Sequence, residues 1–122
     1  MKTLKINLFI SIMVIGNLLF AQCPPIDQNA CESLKKTVAQ YEGTMGGPGE
    51  KAQGDLIICE ACELLKVAVC SAKYCKDETQ KANVQALINQ AFDRMDNGSL
   101  MGSTRTCPYL EEARKPCWGC KL

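Results

Sequence analysis

The chain has 122 residues, with 14 basic and 13 acidic side chains, nine cysteines and no histidine. The near-neutral balance excludes the strong basic field with which domains wrap nucleic acid, and the length sets an expectation of one domain. The missing histidine removes the commonest general base, nucleophile activator and nitrogen metal ligand.

In chain order, the first element is a leader. Met1-Lys2-Thr3-Leu4-Lys5 is a short basic start, residues 8–20 are mostly apolar, and Ala21 offers a small residue for cleavage before Gln22. This is the pattern of a secretory signal peptide over residues 1–21, too short for the ~18–20 apolar residues of a spanning helix. The mature chain is then 22–122, read as a single disulfide-stapled helical domain. Losing Lys2 and Lys5 leaves 12 basic residues against 13 acidic ones. The destination is extracellular, or periplasmic in a Gram-negative host.

All nine cysteines follow the predicted cut: Cys23, Cys31, Cys59, Cys62, Cys70, Cys75, Cys107, Cys117 and Cys120. In an oxidising compartment such density marks a disulfide scaffold. Four disulfides leave one thiol, open to a free reactive cysteine or a covalent dimer; sequence does not give the connectivity.

Cys23-Pro24-Pro25 is an extended lead-in. A first helix is expected over 30–42, where Cys31, Leu34, Val38, Tyr41 and Met45 form one stripe and Asn29 with Glu32 resembles a capping box. Residues 43–54 hold five glycines and Pro48 and read as a connecting loop. A second helix then starts near Asp55, taken as its N-cap. Its stripe, Ile58, Cys62, Leu65 and Val69, is widened by Ile57, Cys59, Val67 and Cys70, so this helix sits inside with neighbours on more than one side. Asp77 with Gln80 caps a third helix over 78–95, whose pattern Val84, Leu87, Ile88, Ala91, Phe92, Met95 is the cleanest in the chain. Asp96-Asn97-Gly98 reads as its stop. Asn97-Gly98-Ser99 is also an N-glycosylation sequon, meaningful in a eukaryotic secretory route. Residues 99–106 read as loop, and Pro108 and Pro116 bracket a short fourth helix.

On one continuous helix Cys59 and Cys70 lie ~20° apart in azimuth and ~16 Å apart in rise. They share a face, cannot bond each other, and are expected to bind the chain ends at 23, 31, 107, 117 and 120. Two CxxC pairs, Cys59/Cys62 and Cys117/Cys120, match zinc-ligand spacing, and the second matches a redox motif. Export favours structural disulfides for both, so no metal and no cofactor is assigned. The carboxylate pairs Glu60/Glu63 and Glu111/Glu112 suit solvated helix faces. No catalytic residue is assigned.

Ile58-Cys59-Glu60-Ala61-Cys62-Glu63-Leu64-Leu65 resembles the opening of saposin-like (saposin B type) domains, where a CxxC begins the first amphipathic helix. Residues 78–92 resemble the second helix of that family, and Cys31-Glu32-Ser33-Leu34 through Gln40-Tyr41 a helix of its second half. The resemblance implies lipid binding or membrane perturbation, with Leu65, Val69, Leu87, Ile88 and Phe92 facing lipid; periodicity alone makes the same five residues core. The expectation is an all-α, disulfide-rich protein of three to four helices, secreted, without enzymatic chemistry, that binds lipid. The alternative is a cysteine-rich ligand or inhibitor acting on a protein partner through the Gly-rich loop and Trp118.

Overall fold

The computed structural model describes residues 23–43 and 46–119. The predicted leader, Met45 and Cys120 lie outside the described residues. Four helices are present among them and no strand: α1 Glu32–Gln40, α2 Gly47–Lys73, α3 Glu78–Leu100 and α4 Leu110–Arg114. This is a small all-α, disulfide-rich fold, as the cysteine count and the helical periodicities lead one to expect.

The core lies chiefly between α2 and α3. Ile58, Ala61, Leu64, Leu65, Ala68 and Ala72 of α2 are buried against Val84, Leu87, Ile88, Ala91 and Met95 of α3. Val67 and Val69 are buried as well, so α2 is enclosed on more than one side, the position its wide apolar circumference requires. α1 buries none of its own residues and is fastened to α2 through Cys31, its N-cap.

Two helix boundaries differ from the sequence reading, and one contact explains both. α2 begins at Gly47 rather than near Asp55, with Pro48 in its first turn, where a missing N–H costs nothing. α3 runs through Gly98 to Leu100 instead of stopping at Met95. A Cβ on Gly54 would lie 2.5 Å from the Gly98 carbonyl oxygen, and one on Gly98 would lie 2.6 Å from Ile58 Cγ1. These glycines are the place where two helix backbones touch, and both are buried. The actual stop of α3 is Gly102, at φ +98°. Its N–H donates to the Ser99 carbonyl at 3.0 Å and the Ser103 N–H donates to the Gly98 carbonyl at 3.2 Å, the two bonds of a Schellman motif.

The start of α3 is as read. The Asp77 carboxylate accepts the Gln80 N–H at 2.8 Å, and the Gln80 side chain accepts the Lys76 N–H at 2.6 Å. The expected box at α1 is absent: Cys31 is the N-cap without a side-chain bond, and the Asn29 N–H donates to Asp27 Oδ1 at 2.9 Å in a turn before the helix.

Asp55, expected as an N-cap, sits in the middle of α2. The Ser103 hydroxyl donates to its Oδ1, and Lys51, one turn earlier, donates to Oδ2 at 3.1 Å. Ser103 Oγ in turn accepts the Arg105 N–H at 3.2 Å, so one carboxylate holds the segment after α3 onto α2. The Ser103 hydrogen bond keeps the Asp55 carboxyl below its ordinary 3.8; burial opposes this, and Lys51 and Arg105 reinforce it. With the folded value lowered, the contribution to stability is complete above 3.8 and is lost as pH falls through the folded value. Asp55→Asn is therefore expected to destabilise by about 1 kcal/mol at neutral pH and to lose less than the native chain below pH ~4. Urea melts of both proteins at neutral and acid pH check this; parallel pH dependences would refute it.

Candidate binding groove and disulfide frame

The helix cysteines pair outward. Cys59 bonds Cys31, Cys70 bonds Cys23 and Cys62 bonds Cys107, with Cα–Cα distances of 6.0, 5.8 and 5.6 Å. Cys75 is disulfide-bonded too. Positions 59, 63, 66 and 70 follow one stripe of α2, so the segment 23–31, anchored to 70 and 59, runs antiparallel along that stripe as a strap. Cys62, ~60° around the helix from Cys59, ties down the segment that leads into α4. The first CxxC thus serves two separate bridges. Among the described residues no group of three or more histidine, cysteine, aspartate or glutamate side chains is arranged to hold a metal ion.

Cys117 is an exposed free thiol. Beside it, Trp118 is half-buried with the Lys81 ammonium 5.3 Å from the ring centroid, a cation–π contact. The Gly119 N–H donates to the Ala72 carbonyl at 2.7 Å, docking the tail on the end of α2. Trp118 is thereby engaged within the fold, and most of the Gly-rich stretch is helix with residues 46–48, 50, 51 and 53 exposed.

The five residues that the family resemblance turns toward lipid are split. Leu65, Val69, Leu87 and Ile88 are buried in the α2–α3 core, with at most 4% of their surface exposed. Phe92 is half-buried and borders a groove of about 390 Å³ between α3, α2 and α4. Ile58, Met95 and Leu110 supply the rest of its apolar lining, and Asp96, Arg105 and Arg114 supply charge. Arg114 is paired with Glu111 on its own helix. The Cys62–Cys107 bridge forms part of the wall. The volume lies near the lower end of the roughly 300–1,000 Å³ of small-ligand sites.

Leu110 and the two arginines were not foreseeable as groove residues. They reach it through the bridge from Cys107 to Cys62 and the Asp55–Ser103 tie, and neither long-range pairing has a sequence signature. Ile58 and Met95 carried a signal in the helical stripes, but periodicity does not tell a groove floor from a core.

No family model matches the chain, and neither does a curated protein or a solved structure. What fold and frame define is a class: a small, cysteine-rich, all-α protein in which a central helix is bridged to segments on either side of it. Among the described residues no helix is long and apolar enough to cross a membrane.

Proposed function

We propose that the chain is exported after removal of residues 1–21 and acts as a non-enzymatic lipid-binding protein of the saposin-like kind. The observation that carries this is the groove: an apolar lining from Ile58, Phe92, Met95 and Leu110, with Arg105 and Arg114 beside it. An acyl chain is matched by the lining and an anionic head group by the arginines. The volume suits one acyl tail rather than a whole two-chain lipid. Because Leu65, Val69, Leu87 and Ile88 are already core, binding here takes single lipids and does not require the helices to open.

Binding to vesicles with and without anionic lipid, measured across pH, tests the reading. Retention on anionic vesicles is expected, with displacement of a fluorescent fatty acid by lipid. The double variant Arg105→Glu/Arg114→Glu is expected to weaken binding on the order of tenfold, as each exposed charge contact contributes up to about 1 kcal/mol. No binding of vesicle or fatty acid at any pH would sink the proposal.

Cys117 favours a second reading in which two copies are joined by a disulfide. Intact mass after alkylation, without reduction, separates the two: one alkylated thiol on a monomer beginning at Gln22 supports the lipid-binding monomer, and twice that mass with no alkylation supports the dimer.

A further inference from the structure

We infer that Asn97 is a site of N-linked glycosylation, a role that goes beyond lipid binding and rests on the export part of the proposed function. Asn97, Gly98 and Ser99 occupy the last turn of α3, and all three are poor helix formers, by roughly 0.5–1 kcal/mol each relative to alanine. Packing accounts for Gly98, whose Cβ would strike Ile58. Ser99 borders the groove beside Asp96, and nothing in the fold accounts for Asn97. Both side chains are exposed, and among the described residues neither makes a hydrogen bond. Asn97 and Ser99 are the two residues that an Asn-X-Ser acceptor requires, separated by one that is not proline.

The surroundings suit a glycan. Leu100, one turn on from Asn97 on the same face, is 83% exposed, the most open large apolar side chain among the described residues. A sugar on Asn97 extends outward from this face and shields Leu100. It leaves the core contact of Gly98 untouched, because that contact lies on the inner side of the turn.

The donor is an oligosaccharide linked to a lipid pyrophosphate. The Asn97 amide nitrogen bonds to the sugar anomeric carbon and gives up one proton, while the bond from that carbon to the pyrophosphate oxygen breaks and the lipid pyrophosphate leaves with the electron pair. No oxidant or reductant takes part.

The test expresses the chain in eukaryotic secretory cells, in one arm behind its own residues 1–21 and in another behind an established secretory leader. Mass is read in medium and lysate alike. The second arm decides the inference: a mass increment is expected that peptide N-glycosidase removes, leaving aspartate at 97. The increment should vanish in Asn97→Gln and Ser99→Ala and persist in Ser99→Thr, which keeps the acceptor hydroxyl. Unmodified native chain in that arm would overturn the inference. Retention of the chain inside the cell in the first arm alone counts against export by its own leader, and so strikes the proposed function separately.

Discussion

Gly54→Ala is expected to lower the melting temperature, the opposite of what the same exchange does in an ordinary helix. In a helix interior alanine is favoured over glycine by about 1 kcal/mol. Here the new methyl would lie 2.5 Å from the backbone oxygen of Gly98, 3.1 Å from Met101 Cβ and 3.2 Å from Ser103 Cβ. The nearest of these atoms is backbone and cannot swing aside, so α2 and α3 must separate along the contact that carries most of the core. Overpacking of this kind costs about 1–3 kcal/mol. For a chain of this size each kcal/mol moves the midpoint by roughly 4–8 °C. Thermal melts followed by circular dichroism measure the shift, and Gly98→Ala should behave alike, with its methyl 2.8 Å from the Gly54 oxygen. A Gly54→Ala protein as stable as the native chain would mean that the two helices do not approach this closely.

Removing the Cys62–Cys107 bridge as the pair Cys62→Ala/Cys107→Ala should cost a large part of the stability of the frame. The bridge spans a sequence separation of 45 residues. Chain-entropy arithmetic puts the loss of such a closure at about 4 kcal/mol, a large part of the ~5–15 kcal/mol by which a domain is stable. The effect should also be local. α4 has only five residues and one of them, Ala113, is buried, so without the bridge it has little to hold it. Hydrogen exchange should therefore show residues 104–114 losing protection first, and urea melts should give the global cost. The proposed binding of fatty acid should weaken in parallel, because Leu110 and Arg114 reach the groove from this segment. A loss below about 1 kcal/mol would show that packing alone seats α4.

The two glycines also show how far the sequence can be read. The periodic stretches of α2 and α3 were legible because burial imposes a repeat of 3.6 residues, and the cap at Asp77 because its bonds span three residues. Gly54 and Gly98 were misleading for a physical reason. Glycine marks a turn when its backbone freedom is used and a close crossing when its lack of a side chain is used, and the letter is the same in both cases. Only the partner helix decides, and it lies 44 positions away. Asp55 is similar: a carboxylate just before an apolar run suits an N-cap, yet its true partner is Ser103. That the α2 cysteines turn outward followed from helical phase. Which partner each one takes did not, since strap and tail are both within reach of a chain this short. The groove was the least legible feature, for it is assembled by those same long-range ties.

The bridges have a mechanical consequence. A load applied between Cys23 and Cys107 does not pass along the intervening backbone. It crosses from Cys23 to Cys70, follows α2 back to Cys62, and crosses again to Cys107. Only the eight peptide links between Cys62 and Cys70 and the two bridges lie in this path, so between Cys23 and Cys107 the oxidised chain can lengthen to no more than about 40 Å even with that stretch of helix pulled straight. α1 and α3 carry no tension at all. A force pulling at the two ends of this frame therefore meets a nearly inextensible link; with Cys23–Cys70 reduced, the Cys31–Cys59 bridge still leaves a path of only eleven peptide links, so it is reduction of Cys62–Cys107 that lengthens the link most.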